Sequence, residues 1–65
     1  MIFYFTDHMN ATLVGCELTK LGFDVAVGYM DPLGQVPMLT DASAETIDKI
    51  CRLYNIQSTS EDNPQ

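Results

Sequence analysis

Pro37 constrains this chain more than any other residue. It sits inside the run Q-V-P-M-L-T, residues 35–40, which otherwise reads as a strand. Proline fixes its own φ and has no backbone N–H, so at an interior ladder position it forfeits a hydrogen bond. Within sheets it is therefore confined to edges, to the first residues of a strand, or to bulges. The residues just before it favour the second case. In D-P-L-G, residues 31–34, Pro32 takes the second position of a turn and Gly34 the fourth. A strand beginning at 35 or 36 then carries Pro37 near its start.

The remaining segments follow from local pattern. Residues 2–5, I-F-Y-F, are apolar without alternation, as in a strand covered on both faces. The polar stretch T-D-H-M-N supplies Thr6, Asp7 or Asn10 as a helix N-cap. Leu13, Val14, Leu18 and Leu21 then recur near helical spacing, and Gly22 stands where a helix-ending glycine belongs. Residues 23–30 alternate through Phe23, Val25, Val27 and Tyr29 and predict a second strand. Asp41 or Ser43 can cap a last helix, whose stripe is Ile47, Ile50, Cys51 and Tyr54. No large apolar residue follows Ile56, so residues 1–56 read as one small α/β domain and 57–65 as a disordered tail. The order is β-α-β-β-α. A right-handed crossover should make strands 1 and 2 parallel, giving a three-stranded mixed sheet covered by two helices. Strand 3 can lie beside strand 1, or beside strand 2 as a hairpin through D-P-L-G.

The segment D-P-L-G-Q-V-P-M-L, with F-Y-F and L-G-F-D-V-A-V upstream, resembles the thioredoxin-like superfamily. It is most similar to the N-terminal domain of glutathione S-transferases, where N-P-x-G-x-V-P-x-L is frequent. The likeness spans residues 2 to about 56, and its specific part is residues 31–39. It implies a minimal thioredoxin-like fold in which the Val36–Pro37 bond is cis and faces a ligand. It also implies that Val36 offers its backbone to the cysteinyl part of glutathione. Ser43 would then hold the γ-glutamyl end, with Asp41 a poor substitute for the family's acid. Glutathione or another thiol is the ligand this likeness implies, and no cofactor is expected otherwise. The family's catalytic Tyr, Ser or Cys would fall in residues 6–12, where this chain has only Thr6, His8 and Thr12 near that place.

Composition narrows the function classes. A chain of 65 residues can bury only about 60% of its unfolded surface, so its core is small and a partner subunit is a natural staple. Its net charge is −6, with Lys20, Lys49 and Arg52 its only cations. Phosphate neutralisation needs several cations on one face, which argues against nucleic-acid binding. A basic protein partner suits this charge. No stretch reaches the 18 apolar residues of a membrane span, and the N-terminus lacks a signal-peptide pattern, so a cytoplasmic setting is expected.

Candidate chemistry is sparse. Cys16 and Cys51 are 35 positions apart, form no C-x-x-C, and each reads as a small buried hydrophobe. Asp7 and His8 follow strand 1, where α/β sheets place ligands, and form a possible loop site, though His8 reads more simply as a turn residue. No metal set is expected, and no phosphate loop, dinucleotide fingerprint or nucleophile elbow occurs. The expected function is that of a small acidic, non-enzymatic interaction protein, of the kind found among phage and mobile-element products that inhibit host proteins. The alternatives are a degenerate thiol-binding module using Val36, Pro37 and Ser43, or a subunit completed by its own oligomerisation through a sheet edge or face.

Overall fold

The computed structural model describes residues 1–60. In chain order the elements are β1 (Ile2–Phe5), α1 (His8–Lys20), β2 (Val25–Val27), β3 (Val36–Thr40), α2 (Ala44–Tyr54) and β4 (Thr59–Ser60). The expected β-α-β-β-α order is present, with a short strand added at its end. Residues 57–60 of the stretch read as a disordered tail thus fall within the described residues: Thr59 pairs with Tyr4 and Ser60 with Phe3. Residues 61–65 lie outside the described residues.

The strands lie in the order β2-β3-β1-β4. Each neighbouring pair is antiparallel, so the sheet is not the mixed one expected. β1 and β2 do run in the same direction, because both oppose β3. They are not neighbours, since the α1 crossover leaves room for β3 between them. Both placements considered for strand 3 are therefore realised at once.

α1 and α2 pack on one face of this sheet. Phe3 and Phe5 of β1 and Val36 and Met38 of β3 point toward them and are buried. They meet Ala11, Val14 and Leu18 of α1 and Ile47, Ile50 and Cys51 of α2 in a continuous core. Burying a side chain of the size of Phe5 or Leu18 contributes about 1.5–3 kcal/mol, so this cluster carries most of the stabilisation.

Local chemistry fixes the helix ends. The Asp7 carboxylate caps α1 by accepting from Asn10 N–H at 2.8 Å, and the Ser43 hydroxyl caps α2 by accepting from Thr46 N–H at 3.2 Å. At the end of α1, Gly22 takes φ +97°, Gly22 N–H donates to Thr19 O, and Phe23 N–H donates to Leu18 O. That pairing is the Schellman closure. α2 closes similarly, with Asn55 in the left-handed region at φ 57° and Ile56 N–H donating to Cys51 O at 2.8 Å. Phe23 and Ile56, each just past a helix, pack onto the core. Between β2 and β3, Gly34 N–H donates to Asp31 O, closing the expected turn. The Asp31 carboxylate also accepts from Leu33 and Gln35 N–H.

The register shows how an interior strand accommodates Pro37. Met1 and Thr40 exchange both backbone bonds, so alternation makes Phe3–Met38 and Phe5–Val36 hydrogen-bonded pairs as well. Pro37 falls between them, and its missing donor faces away from β1. On the other side, Pro37 O accepts from Gly28 N–H at 2.9 Å, while no N–H is available to bond back. β2 stops at Val27, one residue before that gap, although the alternating pattern had run on to residue 30. Gly28 is also where the proline ring comes closest: a Cβ there would lie 3.0 Å from Pro37 Cγ. Among the described residues there is no cis peptide bond, so Val36–Pro37 is trans, unlike the bond that the resemblance implies.

Candidate functional site

Strand alternation divides the sheet residues cleanly. Phe3, Phe5, Val36, Met38, Val25 and Val27 face the helices. Ile2, Tyr4, Ala26, Pro37 and Leu39 face the other way, where no helix of the described residues lies. Leu39 is 47% exposed, and Ile2, Tyr4 and Pro37 are half-buried. No strand residue among the described ones is charged. Asp24 and Asp41 stand at one end of this open face, joined by a 3.2 Å bond from Asp24 N–H to Asp41 Oδ1. On the helix side, Thr6, Gln35, Asp48, Cys51 and Gln57 border a shallow groove of about 400 Å³ between the end of β1 and α2. The connector from Gly28 to Gln35 presents Tyr29 and Leu33, which are 91% and 84% exposed.

The residues singled out for ligand binding are dispersed along β3. Val36 is fully buried, and its backbone belongs to the ladder with Phe5. Pro37 turns its ring onto Gly28. Ser43 lies past the opposite end of the strand, whose length from Val36 to Thr40 is ~13 Å at the usual rise per residue, and its hydroxyl caps α2. Asp7 and His8 sit nearer Val36, since they follow Phe5. Asp7 is committed to its capping bond, while His8 is exposed on the first turn of α1. Among the described residues, no three His, Cys, Asp or Glu side chains converge in a way that could hold a metal ion.

Both cysteines are free thiols. Cys51 is buried on the α2 stripe, as expected, with its sulfur 3.6 Å from the Ser58 hydroxyl. Cys16 is exposed, contrary to the buried reading. The inward positions of α1 are Ala11, Val14, Gly15 and Leu18, and Cys16 lies about 100° of helical rotation beyond Gly15. The Tyr54 hydroxyl donates to Glu17 Oε2 at 2.9 Å, joining the two helices at the surface. That bond raises the Tyr54 pKa; partial desolvation and the Glu17 charge act in the same direction.

Sequence reasoning missed the open face as a unit. Its signal was present in the alternation of Ala26 with Val25 and Val27, and of Pro37 and Leu39 with Val36 and Met38. Reading it required knowing that both helices share one side. No family model, no curated protein and no solved structure matches this chain. No helix among the described residues is long and apolar enough to cross a membrane.

Proposed function

We propose that this is a small non-enzymatic interaction protein that binds a protein partner through the open face of its sheet. The supporting observation is that face itself: Ile2, Pro37 and Leu39 form an uncharged apolar surface, with Asp24 and Asp41 at its rim. Among the described residues the carboxylates stand on loops and helices, and none stands on a strand. The complementary partner carries an apolar patch flanked by Lys or Arg. Apolar contact supplies affinity, and the rim charges steer the approach.

The test is parallel capture from lysate with the wild-type chain and the variants Leu39→Asp and Asp24→Asn/Asp41→Asn. A partner retained by wild type should be lost with Leu39→Asp. It should be retained more weakly, and with less salt sensitivity, by the double variant. Equal retention by all three proteins would overturn the reading. Leu39 is exposed, so a retained amide NMR spectrum for Leu39→Asp separates lost binding from lost folding.

A further inference from the structure

We infer that β2 is a pairing edge for a second copy of this chain, joined antiparallel about a two-fold axis at Ala26. The register fixes which backbone groups are available. Ala26 pairs with Leu39, and Gly28 N–H donates to Pro37 O, so the even-numbered residues turn their backbones toward β3. The N–H and C=O groups of Val25 and Val27 point outward at the sheet edge. In an antiparallel pair centred on Ala26, Val25 of one copy stands opposite Val27 of the other. Each such pair then exchanges both backbone bonds. Asp24 falls opposite Gly28, so no like charges meet across the strands.

Monomeric proteins blunt such edges with charged side chains, proline or bulges. V-A-V, 3 residues long, has none of these. The layer above the edge fits as well. Gly15 of α1 rests against Val25, Val27 and Met38, which sets the helix over β2 and β3 at the level of Ala26. With paired strands about 4.8 Å apart, the two α1 helices would run side by side near the 8–10 Å of ordinary helix packing. Thr12, Cys16 and Thr19 line the groove between α1 and β2, and side chains of this size permit that approach.

Charge points the same way. No carboxylate lines the groove, and its one cation, Lys20, is paired with Glu17 at 3.6 Å, in a chain with 9 acids and 3 bases. This is a surface on which two acidic copies can meet with least repulsion. Its size sets the strength. The 13-residue helix spans about 20 Å. The molecule is 21 Å across its thinnest dimension, giving roughly 400 Å² in projection per copy against about 800 Å² for a standard interface. The dimer is therefore weak and reversible.

The experiment is sedimentation velocity from about 10 µM to 1 mM protein, paired with amide hydrogen exchange at both ends of that range. A monomer–dimer equilibrium is expected, with exchange at Val25 and Val27 slowing as concentration rises while that at Ala26 stays constant. Val27→Pro removes an outward donor and leaves the bonds to β3 intact, so it should remain folded and monomeric. Oxidative cross-linking should join Cys16 to Cys16 and fail in Cys16→Ser. A protein that stays monomeric to 1 mM would overturn the proposal. So would a dimer whose Val25 and Val27 amides exchange freely, or one dissolved by Leu39→Asp, which would place the contact on the open face instead. Because Leu39 is not part of this edge, failure here leaves the partner-binding reading standing, and the reverse also holds.

Discussion

At the scale of single residues, Pro37 and Gly28 form one device. The proline withholds a donor from β2, and its ring occupies the space where a side chain at 28 would begin. Gly28→Ala places a Cβ 3.0 Å from Pro37 Cγ, and the ring is held in an interior strand. The expected cost is about 1 kcal/mol, as for a mild overpacking. In a Pro37→Ala background the same substitution should cost much less, because the ring is gone. A double-mutant cycle by urea denaturation measures that coupling; additive effects would show that the ring is not what limits residue 28. Pro37→Ala should also restore the missing donor, so that an amide at 37 becomes protected from exchange. Tyr54 gives a second prediction at this scale. Its phenol pKa is raised in the folded state by the hydrogen bond to Glu17. The proton is thus held more tightly when the protein is folded. Whatever stability the bond gives is fully present below the unfolded phenol's pKa and is lost as pH rises through the folded one. Glu17→Gln should lower the midpoint of Tyr54 ionisation, followed by its ring resonances during an alkaline NMR titration. An unmoved midpoint would show that the bond is not populated in solution.

At the scale of elements, the helix ends show how far local chemistry could be read. Asp7 and Ser43 cap their helices and Gly22 ends α1, and all three were legible because capping depends on residues within one turn. Asn55 was not singled out, although it performs for α2 the left-handed turn that Gly22 performs for α1. Asparagine occupies that region at a cost that glycine avoids. Asn55→Gly should therefore stabilise the fold, by less than about 1 kcal/mol, measured as a raised denaturation midpoint. A lowered midpoint would mean that the asparagine side chain makes a contact worth more than the backbone relief. β4 escaped prediction for a different reason. T-S has no strand pattern of its own and pairs because Ile56 anchors the chain beside β1. The backbone of Tyr4 turns toward β4, while those of Phe3 and Phe5 turn toward β3. Ending the chain after Ile56 should expose the Tyr4 amide to rapid exchange and leave the amides of Phe3 and Phe5 protected.

At the scale of the whole molecule, the segments of β1, β2 and β3 were legible, but their order in space was not. Each of these three announces itself within a few residues, whereas the placement of β3 between β1 and β2 depends on how far α1 carries the chain. That order decides everything about surfaces. It puts both helices on one side, turns Ile2, Pro37 and Leu39 to the other, and makes β2 an edge. The two proposed contacts then differ in electrostatic sign, which yields a test independent of any variant. Two copies that each carry −6 repel as they approach, even where the local contact is uncharged. Salt shortens the screening length from about 30 Å at 0.01 M to about 8 Å at physiological ionic strength, so added salt should strengthen the β2-edge dimer. A basic partner on the open face is drawn in by the same charge, so added salt should weaken that complex. Sedimentation of the isolated chain and titration of the captured partner, each from 0.01 to 0.5 M sodium chloride, should therefore give slopes of opposite sign. A dimer that dissociates as salt rises would mean that the copies meet through an ion-paired surface and not through the uncharged Val25–Val27 edge.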